Sequence, residues 1–461
     1  MNRRFVLVYG GAALAITLAL AAMFSAAPIL WFVLLGSAFV VAVLLPLGDG
    51  PVLTWIVMFN MLSVAADVFN YELAEQGAGV YPVIYNQDRA IIYSCAALVA
   101  LAAGMRVSLS VMQNRRPIVA GQESMRRFEP SRIFILYAVF LPFSSAVSML
   151  AAVSPGLVQP AYALGLVRFA IIYWLSATAF AANRHYTWLA IVIFVELVVG
   201  STGAFASYKE GFFVVLIALV ASRRRLSFRQ AAIAAAGAAV IIYMSLIWSV
   251  VKMEYRSQIV GQGPVSSVSW LAKKYVGGDV DLRQGASILL ERIGYTTFYA
   301  FIIDRNTERF RGIYLRAIEH VLTPRLLFPD KAALSDSAET NQVLNSNIGA
   351  GTSIGLGYVA EAHIDFGFPG LLVPIFGLGA VVALIYVYFT SRNISAALRD
   401  AFAVGCLFNC LAFERDINKE FGGMTMGFLI LSLALKFAGG RLITFCRVRS
   451  PTPFGLRARA A

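Results

Sequence analysis

"VAEAHIDFGFPGLL", residues 359–372, decides how the whole chain is read. Its second half opens an apolar run that continues to residue 390, while its first half sets Glu361, His363 and Asp365 at the mouth of that run. A bilayer-spanning helix needs roughly 17–25 mostly apolar residues. Further runs of this kind fall near 5–25, 29–45, 52–67, 90–105, 133–153, 161–182, 187–203, 211–222, 229–250, 401–413 and 422–438. They make about twelve spans in all, of which 211–222 and 401–413 are the shortest. Composition agrees: 59% of the 461 residues are hydrophobic and 14% are charged. Soluble domains are about half apolar and about a quarter charged. The expected fold class is therefore all-α and polytopic.

A net charge of +13 would suggest nucleic acid in a soluble protein. In a membrane chain the positive-inside rule explains it, because the excess lies in short loops. With the N-terminus inside, the inner flanks collect Arg3 and Arg4, the arginines between 106 and 132, Arg223 to Arg225, and the basic tail. The short outer loops hold only Arg89, Lys209, Arg415 and Lys419. An N-in, C-in topology follows. It divides the chain into an N-terminal bundle (1–250, about nine helices), a large outside loop (251–368), C-terminal spans (369–440) and a basic tail (441–461). The basic start and apolar run of residues 1–28 predict a first span or signal anchor. Cys95, Cys406 and Cys410 fall in spans and Cys446 in the tail, so no disulfide framework is implied.

The outside segment is balanced, with twelve basic and twelve acidic residues. Residues 287–304 are apolar enough to lie on or dip into the bilayer surface. Residues 312–330 carry Tyr314, Ile318, Val321 and Leu322 at helical spacing until Pro324. A polar, Gly-rich loop follows, and Glu361, His363 and Asp365 then face the outside just above the membrane.

Arg168 lies within its span, where a charge costs about 2.5–3.5 kcal/mol and must face the bundle interior or a wet cavity. Two readings stand: an ion pair with Glu196 of the next span, or an anion site open to the outer leaflet. Lys209 and Glu210 occupy an outer helix turn as a loop-end ion pair or a cavity lining. In the loop, Arg292 and Arg325 sit in apolar surroundings, and an arginine fork holds phosphate bidentately. "GAGTSIGLG" lacks the Lys-Ser/Thr of a P-loop, and "GGDVD" is a common two-carboxylate match. No Cys/His constellation suggests a metal and no Gly-x-Ser-x-Gly elbow is present. What remains is a set of cations beside a carboxylate cluster, suited to a lipid-linked phosphate at the outer leaflet.

The segment Glu361-Ala-His363-Ile-Asp365-Phe366-Gly367-Phe-Pro-Gly370, entering a span after one large late loop, resembles the Wzy-type O-antigen and exopolysaccharide repeat-unit polymerases. In the related O-antigen ligases a His lies well before the closing Gly-x-x-Gly turn, whereas His363 sits close to Gly367. The resemblance implies a C-type-glycosyltransferase-like architecture in a bacterial inner membrane. It also implies an inverting transferase without metal or cofactor, polymerising undecaprenyl-pyrophosphate-linked oligosaccharide beside a flippase and a chain-length regulator. Glu361 would be the base, with His363 and Asp365 orienting it or the acceptor, and Arg168, Lys209, Arg292 and Arg325 would bind pyrophosphate. Acids at a membrane-interface helix start are the plainer reading of Glu361 and Asp365. The rival classes are a flippase or other transporter, which commonly shows two similar halves, a ligase-like transferase, and a scaffold.

Overall fold

The computed structural model describes residues 16–19, 25–45, 50–77, 79, 83–113, 127–154, 158–183, 185–202, 208–222, 228–258, 264–277, 280–304, 312–323, 328, 340–341, 355–392, 394–408 and 415–447. Among these the chain is helical, with no strand and a single isolated bridge. The first half is built from α1 (Pro28–Leu44), α2 (Pro51–Glu75), α3 (Gln87–Gln113), α4 (Pro130–Val153), α5 (Val158–Ala182), α6 (Tyr186–Thr202), α7 (Tyr208–Ser222) and α8 (Phe228–Gln258). Then come α9 (Pro264–Gly277), α10 (Leu282–Ile293), α11 (Thr296–Asp304) and α12 (Ile313–Leu322). The chain closes with α13 (Tyr358–Gly370), α14 (Leu372–Thr390), α15 (Ala396–Leu407) and α16 (Ile417–Cys446).

Seven helices among the described residues are long and apolar enough to cross a membrane: α2 to α5, α8, α14 and α16. This is a polytopic helical membrane protein. The remaining expected spans are carried differently. Residues 5–25 fall almost wholly outside the described residues. Helices α1 and α6 are apolar but have only 17 residues each, α7 has 15 and α15 has 12. At 1.5 Å rise per residue, 12 to 17 residues reach about 18–26 Å, short of a hydrocarbon core of about 30 Å. The last span is longer than its apolar pattern, since α16 continues to a buried Cys446 that the sequence reading places in the tail. Phe128 pairs with Arg447, and Arg132 Nη1 donates to the Phe445 and Arg447 carbonyls at 2.8 and 3.1 Å. The start of α4 and the end of α16 therefore share one side of the bundle.

The tightest crossing joins α3 and α14. Without lipid-excluding forces between membrane helices, close backbone approach at small residues supplies much of the packing. Gly104 faces the Phe376 carbonyl and Gly379 faces the Leu101 carbonyl so closely that a methyl at either position would collide with backbone. A backbone carbonyl cannot rotate away as a side chain can. Gly379→Val is therefore expected to cost at least about 1–3 kcal/mol. A lowered thermal midpoint of the purified protein, or reduced membrane abundance, would register it; unchanged values would mean that the helices can separate without cost.

Part of the expected outside loop belongs to the bundle. Helices α10 and α11 pass the length and apolarity test together and are bent by 58° at their junction. They pack on α2 and α3. The break leaves an open carbonyl at the end of α10 and an open N–H at the start of α11. Helix α2 meets both: Ser63 donates to the Ile293 carbonyl, and Asp67 Oδ2 accepts from Thr296 N at 3.0 Å. Ser63 and Asp67 lie one turn apart, so one helix face closes both ends of the break.

Candidate functional site

The quoted stretch folds as a short helix, with no Gly or Pro from Tyr358 to Phe366 to interrupt it, and it stops at Gly367. There the backbone takes φ 62° and ψ −175°, outside the helical region and in the positive-φ range that favours glycine. Chain direction changes at Gly367–Phe368, and α14 starts at Leu372.

Residues four apart on a helix share a face, so Glu361 and Asp365 point the same way. That face is buried, and both carboxylates meet helix N-termini. Glu361 Oε2 accepts from Ile417 N, the first residue of α16, at 2.7 Å. Asp365 accepts from Ile313 N (3.1 Å) and Tyr314 N (2.9 Å), the first two residues of α12. The start of α13 is held in return by the α16 side: Tyr358 N donates to the Arg415 carbonyl at 2.9 Å and Gly357 N to Asp416 Oδ1 at 3.4 Å. A helix N-terminus carries unsatisfied N–H groups and a partial positive charge, and a buried carboxylate answers both. The plainer reading of these acids as helix-start residues thus takes a different form: they cap helices other than their own. The Tyr314 hydroxyl donates to the Tyr358 carbonyl at 2.7 Å. Burial, followed by the nearby Glu361, Tyr358 and Asp365 groups, holds its pKa well above the ordinary phenol value, so it stays a donor.

His363 lies two positions from either acid, roughly 200° around the helix, and faces a different environment. It is partly exposed, and its Nδ1 shares a hydrogen bond of 3.1 Å with the Tyr299 hydroxyl of α11. Tyr93 of α3 stacks on Phe368 at 4.0 Å with the rings nearly parallel, and its centroid is 6.0 Å from the imidazole. Tyr299 meets the imidazole edge-on at 5.3 Å. The three ionisable groups of the stretch are thus split between a capping face and an aromatic face.

Arg168 Nε lies 3.6 Å from Glu196 Oε1, which also accepts from the Tyr137 hydroxyl at 2.6 Å. The guanidinium sits 5.1 Å from the centre of the Phe169 ring. Of the two readings of Arg168, the ion pair with Glu196 is present. Glu210, in the first turn of α7, feels Arg415, then Arg168 and Lys209, as attractive charges and Glu196 as a repulsive one. Arg168 and exposed Lys209 therefore share one electrostatic neighbourhood, and Arg415 links it to the start of α13. A crevice lined by Ile172, Val192, Gly211 and Phe212 adjoins Glu196. Arg292 is elsewhere, exposed in the last turn of α10, where a cation complements the helix C-terminus. Arg325 lies outside the described residues. Asp281, one of the "GGDVD" acids, is the N-cap of α10 and accepts from Arg283 N at 2.9 Å. Among the described residues no group of three or more His, Cys, Asp or Glu could hold a metal ion.

Sequence reasoning passed over a polar stripe on α2. Asn60, Ser63, Asp67 and Asn70 recur at i, i+3, i+7 and i+10, and all are buried. Asn60 Oδ1 accepts from the Tyr358 hydroxyl at 3.1 Å, so the stripe supports α10, α11 and α13 in turn. Glu72, at the end of the same helix, accepts from Ala26 N (2.7 Å) and Ala27 N (3.0 Å) at the start of α1. Polar residues at helical spacing within an apolar span were the signal available.

Fold and site together define a helical membrane protein whose ionisable groups gather where several helices begin. Comparison of the chain with protein families, curated proteins and solved structures returns no match.

Proposed function

We propose that this protein polymerises undecaprenyl-pyrophosphate-linked oligosaccharide repeat units at the outer face of a bacterial inner membrane. It transfers the growing chain to the next lipid-linked unit. The reading is supported by the resemblance of residues 361–370 to the repeat-unit polymerases and, above all, by one arrangement: a partly open histidine set against Tyr93 and Tyr299, on a face of α13 turned away from the capping carboxylates. His363 takes the proton of the acceptor hydroxyl, whose oxygen attacks the anomeric carbon as the bond to pyrophosphate breaks with inversion. Tyr299 orients the imidazole through Nδ1. Phe368, stacked on Tyr93 and about two-fifths exposed, offers an aromatic face that suits the apolar face of a sugar ring. Glu361 and Asp365 position α13, and so differ in role from the base and orienting groups that the family resemblance implies.

The leaving pyrophosphate carries developing negative charge. Arg168, Lys209 and Arg415, which all act on Glu210, supply cations on one side. Glu196 and Tyr137 keep Arg168 in place when substrate is absent. The lipid-linked glycans of a strain lacking the protein test the reading. Single repeat units accumulating on the outer leaflet are the expected result. Units trapped on the cytoplasmic leaflet would identify a flippase, and normal chain lengths would remove the protein from the pathway.

A further inference from the structure

Helix α12 presents three different surfaces. Ile313, Tyr314 and Ala317 are buried against α13 and α16. Arg316 and Glu319, at i and i+3, form an exposed charged edge. Leu315, Ile318 and Leu322, at i, i+3 and i+7, form a third strip that is apolar yet 70, 44 and 73% exposed. Three large aliphatic side chains in one row are not a scattered surface residue; such a strip marks an interaction surface. Its position says which. Helix α12 packs against α16, a spanning helix, and its first turn is capped by Asp365, seven residues before the span α14 begins. The Tyr314 ring meets Phe366 edge-on at 5.9 Å. Phe366 and Phe368 are themselves about two-fifths exposed, and Val373 in the first turn of α14 is exposed further. Through Tyr314, α12 thus adjoins an exposed apolar surface that leads into a membrane-spanning helix.

We infer that α12 lies in the membrane interface, with Leu315, Ile318 and Leu322 inserted among lipid acyl chains and Arg316 and Glu319 on the aqueous side. An amphipathic helix with one apolar and one charged edge takes this position in a bilayer. The consequence is mechanical: Asp365 ties an interfacial helix directly to α13, so bilayer position sets the height of His363 above the acyl region.

The test is collision accessibility of nitroxide labels on the full chain reconstituted in phospholipid vesicles. Single cysteines replace residues 315, 316, 318, 319 and 322 in turn, in a background freed of the four native cysteines. Molecular oxygen concentrates among acyl chains, whereas a neutral nickel chelate stays in water. The expected result is oxygen dominance at 315, 318 and 322 with the ratio reversed at 316 and 319. Nickel dominance at 318 and 322 would place the strip in water and overturn the inference. Low collision rates with both reagents there would mean that a protein surface covers it, which overturns it equally.

Discussion

A His363→Ala protein is expected to reach the membrane at wild-type abundance and yet lose about 10²–10⁴-fold in polymerising rate, the usual cost of removing an acid–base group. The expectation rests on geometry. His363 is the one ionisable side chain of the 359–372 stretch that is partly exposed, and its hydrogen bond to Tyr299 orients the ring without enclosing it. Tyr299→Phe, which removes only that bond, should give a smaller loss. The informative contrast is Glu361→Gln. A glutamine carbonyl can still accept from Ile417 N, so this variant should retain long polymer if Glu361 is a cap. Chain-length profiles from membranes with matched protein levels decide between them. Normal polymer from His363→Ala together with none from Glu361→Gln would return the role of base to Glu361.

Asp365→Ala should destabilise the protein more than any conservative change in the same stretch. It strips the acceptors from two adjacent N–H groups at the start of α12, each buried beside α13. Each unsatisfied buried group costs about 1–3 kcal/mol, and loss of the anion at a helix N-terminus adds up to about 2 kcal/mol. Glu361→Ala likewise removes the acceptor of Ile417 N at the start of α16. The amide variants separate cleanly on the same logic. Glu361→Gln keeps an acceptor for Ile417 N, whereas Asp365→Asn has one carbonyl oxygen for two donors and should fall between wild type and Asp365→Ala. Thermal midpoints of the detergent-purified variants measure the order. Equal midpoints for wild type and Asp365→Ala would show that α12 does not need its cap.

Both predictions turn on residues whose types were plain in the chain and whose roles were not. The pairing of Arg168 with Glu196 was within reach because the two lie in consecutive spans, where a charge of either sign needs a partner. The role of Tyr299 was not, because nothing in the pattern of residues 287–304 shows that this stretch bends at Tyr295 and docks on α2 and α3.

Membrane class follows from the sequence by itself, because the apolar content of a helix-length window depends only on which residues are in it. So does the shared face of Glu361 and Asp365, a matter of helical period. Which groups that face meets depended on tertiary structure alone. The partner N–H groups belong to Ile313, Tyr314 and Ile417, some fifty residues away in the chain on either side. Every helix has such groups at its start, whatever its sequence. A carboxylate becomes a cap or a base according to which backbone is folded against it.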